Sequence, residues 1–154
     1  MLEVGPGSGY FSVALARRIT NGRLELLDLQ PEMLARARRK LLVRGHKNVG
    51  YTAQDASLPL PYEDETFDAV VLVAVLGEVS DSQACLRGIR RVLRPGGRLA
   101  VHEHFLDPDH IPLTALSALA AECGFRLDKR FGPARHYTAL FVIDEATTPG
   151  GTAP

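Results

Sequence analysis

Apolar residues along this chain follow two alternating rhythms. Short runs rich in Val and Leu at 23–29, 49–53, 69–75 and 99–105 read as buried strands. Between them, apolar positions recur every three or four residues, the spacing of one helix face. Phe11, Ala14, Leu15 and Ile19 make one stripe, and Met33, Leu34, Ala37 and Leu41 a second. Pro31 suits a first helical turn, and Gly22 and Gly45 stand where a residue just past a helix end would. Ser80-Asp81-Ser82-Gln83 spells a capping box for a third helix, which carries Leu86, Ile89, Val92 and Leu93 inward. Arg94-Pro95-Gly96-Gly97 is a turn that stops it.

Such alternation predicts an α/β fold: right-handed βαβ units wound around a mostly parallel sheet. Near the end the pattern changes. A helix over 112–123 closes at Gly124, and strands at 125–131 and 137–143 flank Gly132-Pro133-Ala134-Arg135 as an antiparallel hairpin. Residues 1–143 therefore read as one domain, and the Thr-, Gly- and Pro-rich 144–154 as a disordered tail.

Composition narrows the classes. A chain of 154 residues, 45% hydrophobic and 23% charged, can build a core without disulfides or a structural metal. Lys+Arg and Asp+Glu both number 18, a balance that argues against broad capture of nucleic acid or anionic membrane but permits a local patch. Cys85 and Cys123 have no CxxC spacing, so neither a disulfide scaffold nor a zinc knuckle is indicated. The longest apolar run, 69–76, is far short of the ~18 residues of a membrane helix. Without a signal-peptide pattern after Met1, a cytoplasmic location is the default.

Candidate chemistry starts at Glu3-Val4-Gly5-Pro6-Gly7-Ser8-Gly9, between the first strand and the first helix. Glycine allows a tight turn and lets the backbone approach a ligand closely. Alone the run could be a structural turn. Its place in the first βα unit, outside the carboxyl ends of the strands, favours a nucleotide-like ligand. Spacing selects among ligands. The dinucleotide fingerprint G-x-G-x-x-G would need a third glycine at position 10, which is Tyr10, and a P-loop lysine is missing.

Glycines at 5, 7 and 9 with an acid at 3 resemble motif I of the class I S-adenosylmethionine-dependent methyltransferases. The resemblance runs on through most of the chain. Asp28-Leu29-Gln30-Pro31 is similar to the second motif, Gln54-Asp55-Ala56 to the third, and 58–70 to the fourth. Leu93-Arg94-Pro95-Gly96-Gly97 resembles the turn before the fifth strand, and Cys123-Gly124-Phe125 the lead-in to the hairpin. Within the family it is most similar to the small-molecule branch that includes quinone-biosynthesis enzymes. The resemblance implies a Rossmann-like sheet ordered 3-2-1-4-5-7-6. It also implies S-adenosylmethionine as cofactor, S-adenosylhomocysteine as product and a small-molecule methyl acceptor. Carried over residue by residue, it gives Glu3 the amino end of the cofactor, and Gly5, Gly7 and Gly9 its methionyl and ribose parts. Asp28 receives the ribose hydroxyls, Leu29 packs on adenine, and Asp55 with Ala56 contacts the adenine edge. Asp28 could also cap the following helix, and both roles can coexist.

Two departures stand out. The first strand, Met1-Leu2-Glu3-Val4, reads as clipped, and the upstream helices of the family have no counterpart, so an N-terminal segment is expected to be missing. Only residues 106–111 separate the fifth strand from the next helix. Methyl displacement needs positioning first and a base only when the acceptor must lose a proton. Glu78, Glu103 and His104 are candidates for that work, with Glu78 also readable as solvated or capping. His102 and His104 share one face of a strand and Glu103 the other, whereas His46, His110 and His136 read as loop residues. No metal is expected, because the H-x-H pair has no obvious third ligand. The alternative function is a cofactor-binding but inactive regulatory or partner module; a nicotinamide oxidoreductase is disfavoured by Tyr10. The oligomeric state cannot be read.

Overall fold

The computed structural model describes residues 1–144, so of the expected tail over 144–154 only Asp144 is described, its amide donating to the Gly124 carbonyl at 2.9 Å, and 145–154 lie outside the described residues. In chain order the elements are β1 Leu2–Val4, α1 Ser12–Arg18, β2 Leu24–Asp28, α2 Pro31–Val43, β3 Val49–Ala53 and β4 Phe67–Val73. There follow α3 Ser82–Val92, β5 Leu93–His104, α4 Leu113–Glu122, β6 Phe125–Phe131 and β7 His136–Ile143. The strands form one sheet ordered β3-β2-β1-β4-β5-β7-β6, parallel from β3 to β5 and antiparallel through β7 and β6. This is the order that the resemblance implied.

Short β1 lies at the centre, with Glu3 paired to Leu26 of β2 on one side and Val71 of β4 on the other. Central parallel strands are covered on both faces and so read as continuous apolar runs. Leu24, Leu26, Leu34, Ala37 and Leu41 build the core under α1 and α2. Leu2, Val70, Leu72, Leu86, Ile89 and Phe141 belong to the larger core on the α3–α4 side. Each fully buried leucine here contributes about 1.5–3 kcal/mol relative to exposure.

Sequence-level expectations hold for α2, whose end is a Schellman motif. Gly45 (φ 79°) donates to the Leu42 carbonyl and His46 to that of Leu41, which satisfies the orphan carbonyls of the last turn. Other expectations need correction. The inward stripe of α1 is Ser12 and Ala16, with Val13 and the expected Leu15 and Ile19 partly buried against the same core, while Phe11 and Ala14 are exposed. A small polar Ser at an inward position is invisible to an apolar pattern. Gly22 does not close α1, because the helix ends earlier, at Arg18, with Ile19 as its C-cap. The third helix begins one residue late. Asp81, not Ser80, caps it by accepting from the Ala84 amide at 2.8 Å, and Gln83 reaches across to Glu122 at 2.7 Å. Finally, Leu93 pairs with Phe67 and begins β5, so 94–97 forms an irregularity inside that strand rather than a connecting turn.

Candidate functional site

Parallel strands deliver their carboxyl ends to one edge of the sheet, and the order reverses between β1 and β4. There the loops part to leave a cleft of about 470 Å³, a volume ordinary for small-ligand sites. Of the residues predicted from sequence, Glu3, Gly5, Gly7, Asp28, Leu29, Asp55, Ala56 and Glu78 all line it. A larger groove of about 980 Å³ between Asp64, Arg87, Arg90 and Arg126 contains none of them.

Glu3 is a carboxylate in a strand otherwise fit for leucine. It is 2% exposed, and its Oε2 atom has no hydrogen-bond partner among the described residues. Burial pushes its pKa up to about 7, and the nearby Ser12 hydroxyl only partly opposes that shift. A buried carboxyl with one unpartnered oxygen at the floor of a cleft awaits a cationic or donor group.

Asp28 closes β2 and holds the glycine loop. Its Oδ2 accepts from the Gly7 amide at 3.0 Å and its Oδ1 from the Gln30 amide at 2.9 Å. The second bond braces the entry to α2, so the helix-end role is present in modified form: Gln30, not Asp28, is the N-cap. Carboxylate oxygens accept more than one bond each, which leaves capacity for ligand hydroxyls. Asp55 is pinned by Ser57, whose amide (2.8 Å) and hydroxyl (2.7 Å) both donate to Oδ1 and hold the carboxyl below its usual range. Its Oδ2 has no hydrogen bond among the described residues. Leu29 stands 66% exposed on the rim, an apolar surface suited to the face of a flat ring.

The three glycines do different jobs. At Gly5 (φ 66°) a Cβ would meet Val75 Cγ2 at 2.4 Å, so the loop passes tight against the end of β4. Gly7 (φ 51°) has nothing within 4 Å of that position and leaves the cleft open. Gly9 lies outside the lining of the cleft. A Cβ there would lie 2.9 Å from the Ala37 backbone, so Gly9 is the packing contact that lets the loop lie against α2.

Among the catalytic candidates only Glu78 reaches the cleft. Burial, then Asp107, Asp109 and Asp28, raise its pKa. Its carboxylate gathers with those of Asp107 and Asp109, ligand atoms all within 4.8 Å, a convergence that spacing alone does not reveal. Gly77 makes it possible, since a Cβ there would sit 2.0 Å from the Asp109 carbonyl. Glu103 and His104 do not line the cleft. Glu103 points into the core, 1% exposed, accepting from the Ile111 amide at 3.1 Å. His102 bonds Thr138 at 2.9 Å and packs edge-on against His136, which opens β7 instead of lying in a loop. His104 tilts against the same ring at 6.3 Å. Tyr10 lines the cleft, 77% exposed, and does not begin α1. Phe11, Gln30, Val75 and Ser80 also line it without having been predicted for the site; Phe11 and Gln30 simply adjoin Tyr10 and Leu29 in the chain.

A cationic, adenine-bearing cofactor fits these residues: an orphaned acid at the floor, an open glycine, two strand-end acids and an apolar rim. Comparison with known proteins agrees. Residues 2–101 match the family described as "Methyltransferase domain". A "Ubiquinone/menaquinone biosynthesis C-methyltransferase UbiE" of Cellvibrio japonicus is 38% identical over 105 residues, covering 67% of this chain and 42% of that protein. The chain thus spans less than half the length of the curated relatives it matches. Among solved structures, a SAM dependent methyltransferase from Aquifex aeolicus superimposes with a TM-score of 0.77 at 22% identity, over 91% of this chain and 79% of that one. The [4+2]-cyclase SpnF gives 0.75 at 26% identity, over 84% and 52%. With its motifs, strand order and cleft in agreement with this match, the chain belongs to the methyltransferase domain family, the class I S-adenosylmethionine-dependent methyltransferases.

Proposed function

We propose that this chain binds S-adenosylmethionine and transfers its methyl group to a small-molecule acceptor, a ring carbon of a quinol-like compound. The observation that carries the reading is Glu3, buried with its Oε2 unpartnered among the described residues, at the floor of a cleft edged by Asp28 and Asp55. When bound, S-adenosylmethionine supplies an electrophilic methyl group on a sulfonium and leaves as S-adenosylhomocysteine. Glu3 would hold the ammonium of the amino-acid end, Asp28 the ribose hydroxyls, and Asp55, Ala56 and Leu29 the adenine. Glu78, the catalytic candidate that lines the cleft, would take a proton from the acceptor, and burial with the neighbouring Asp107 and Asp109 carboxylates raises its pKa and makes it a stronger base than an ordinary carboxylate. The quinol-like acceptor rests on the printed activity of the 38%-identical relative. A cytoplasmic location accords with two free, buried thiols, Cys85 and Cys123. The described residues contain no helix long and apolar enough to cross a membrane.

The test is transfer of labelled methyl from S-adenosylmethionine to small quinols, with phenols and amines in parallel. Label on a quinol ring carbon is expected, and Glu78→Gln should lower kcat at least about tenfold while leaving donor affinity unchanged. Donor binding without transfer to any acceptor would overturn the proposal. It would favour a non-transferring use of this fold, as the likeness to a [4+2]-cyclase illustrates.

A further inference from the structure

The neutral balance of this chain conceals a strong segregation of charge. Residues 17–47 hold nine of the 18 cationic side chains, namely Arg17, Arg18, Arg23, Arg36, Arg38, Arg39, Lys40, Arg44 and Lys47. They hold three of the 18 acids, Glu25, Asp28 and Glu32, so nine cations and fifteen acids remain for the rest. Because α1 and α2 share one core on one face of the sheet, most of these cations fall on a single side of the molecule. Arg23 pairs with Glu25, and the other eight have no acidic partner among the described residues. Asp28 is already committed to the cleft.

A solvated helix face with cations at helix ends is the plain alternative. The helix dipole does favour Arg17, Arg18, Lys40 and Arg44, which lie in or just past a last turn. It does not account for Arg36, Arg38 and Arg39 in mid-helix. Nor does it account for Leu42 and Val43, which stand 51% and 80% exposed among them. Arg36, Arg39 and Val43 follow one another at three- and four-residue steps, opposite the buried Leu34, Ala37 and Leu41, with Leu42 beside them. The outer face of α2 is thus basic, with Glu32 its one acid and an apolar tip at its end, a patch that anionic headgroups attract.

We propose that the outer face of α1 and α2 docks on an anionic phospholipid surface. The arginines and lysines meet headgroup phosphates, and Leu42 and Val43 enter the interfacial layer. The acidic excess on the remainder of the molecule is repelled by such a surface, so the same segregation that attracts this face also orients it. Nucleic acid fits less well. Against a phosphate backbone Leu42 and Val43 would gain nothing, and the neighbouring aromatic, Tyr51, is half-buried with Arg38 over its ring at 5.9 Å. Gln30 and Met33 at the start of α2 line the cleft, so docking would hold the cleft one helix length, about 20 Å, from the lipid or closer.

Co-sedimentation with vesicles tests the proposal. The full chain should bind phosphatidylcholine vesicles containing one third phosphatidylglycerol, and high salt should release it; pure phosphatidylcholine should not retain it. The double variant Arg36→Glu/Arg39→Glu should bind anionic vesicles at least about tenfold more weakly, since each basic side chain near such a surface is worth about a fivefold change. Leu42→Ser/Val43→Ser should weaken binding severalfold with the salt dependence preserved. Both variants should keep wild-type affinity for S-adenosylhomocysteine, which verifies their fold. Equal binding to both vesicle types, or full binding by the charge-reversal variant, would overturn the proposal. So would duplex DNA or RNA that displaces the chain from vesicles with affinity indifferent to Leu42 and Val43.

Discussion

Glu3→Gln is expected to stabilise the free protein above neutral pH and to weaken its cofactor at the same time. The native carboxyl titrates near pH 7, whereas in the unfolded chain it would titrate near 4.5. Below 4.5 both states are protonated, and above 7 both are ionised. Between these values the native state holds the extra proton, so stability falls as pH rises through the interval. The difference amounts to about 3 kcal/mol, lost by about pH 7. Glutamine does not ionise and removes this slope. Its buried amide still lacks a full set of partners, which costs about 1–3 kcal/mol and leaves a smaller net gain at alkaline pH. Urea titrations of the two proteins across this range should diverge with increasing pH, and parallel curves would show that Glu3 ionises normally.

Binding should respond in the opposite sense. A cationic ammonium stabilises the ionised carboxylate, so below pH 7 the wild type must release a proton to bind. Affinity for S-adenosylmethionine should therefore rise up to about tenfold per pH unit toward pH 7 and level off above it. Glu3→Gln should bind more weakly above pH 7 and show no such rise. Calorimetry in buffers of different ionisation enthalpy would detect the released proton directly. Equal proton release in both proteins would assign the titration to another group.

The second large effect is at Asp28. Alanine there removes the acceptor for the Gly7 and Gln30 amides together, so the glycine loop and the entry to α2 lose their common brace. A stability loss of about 1–3 kcal/mol is expected, with a binding loss of about 1.5–3 kcal/mol, or roughly tenfold to 150-fold in Kd. Asp28→Asn keeps one carbonyl acceptor and should fall between. Asp55→Ala should weaken binding less, because Asp55 is more exposed and its visible bonds go to its own turn at Ser57. A ranking with Asp55→Ala more damaging than Asp28→Ala would contradict these roles.

Much of this site was legible in the chain because its parts are local. A parallel sheet brings strand ends to one edge, so an acid at the end of β2, the acid after β3 and a glycine loop after β1 converge without knowledge of distant packing. Glu78 follows by the same rule at β4. Contacts between distant segments were not legible. Gly9 looks like its neighbours in the glycine loop, and only the closeness of Ala37 shows it to be a packing residue. Glu103 alternates with His102 and His104 as strand geometry requires, but spacing could not say that its face meets Ile111 and the core. Asp107 and Asp109 join Glu78 because their loop crosses a glycine thirty residues earlier, Gly77. Net charge carries no such information either: a sum over the chain is blind to which side of the sheet each charge occupies.

Titration calorimetry with S-adenosylhomocysteine and with NAD, above pH 7 so that Glu3 is ionised, is the most direct measurement of what the cleft is for. The expected result is binding of S-adenosylhomocysteine at a single site, abolished or strongly weakened in Asp28→Ala, and no heat from NAD. NAD bound more tightly than S-adenosylhomocysteine would contradict a methyl-donor site.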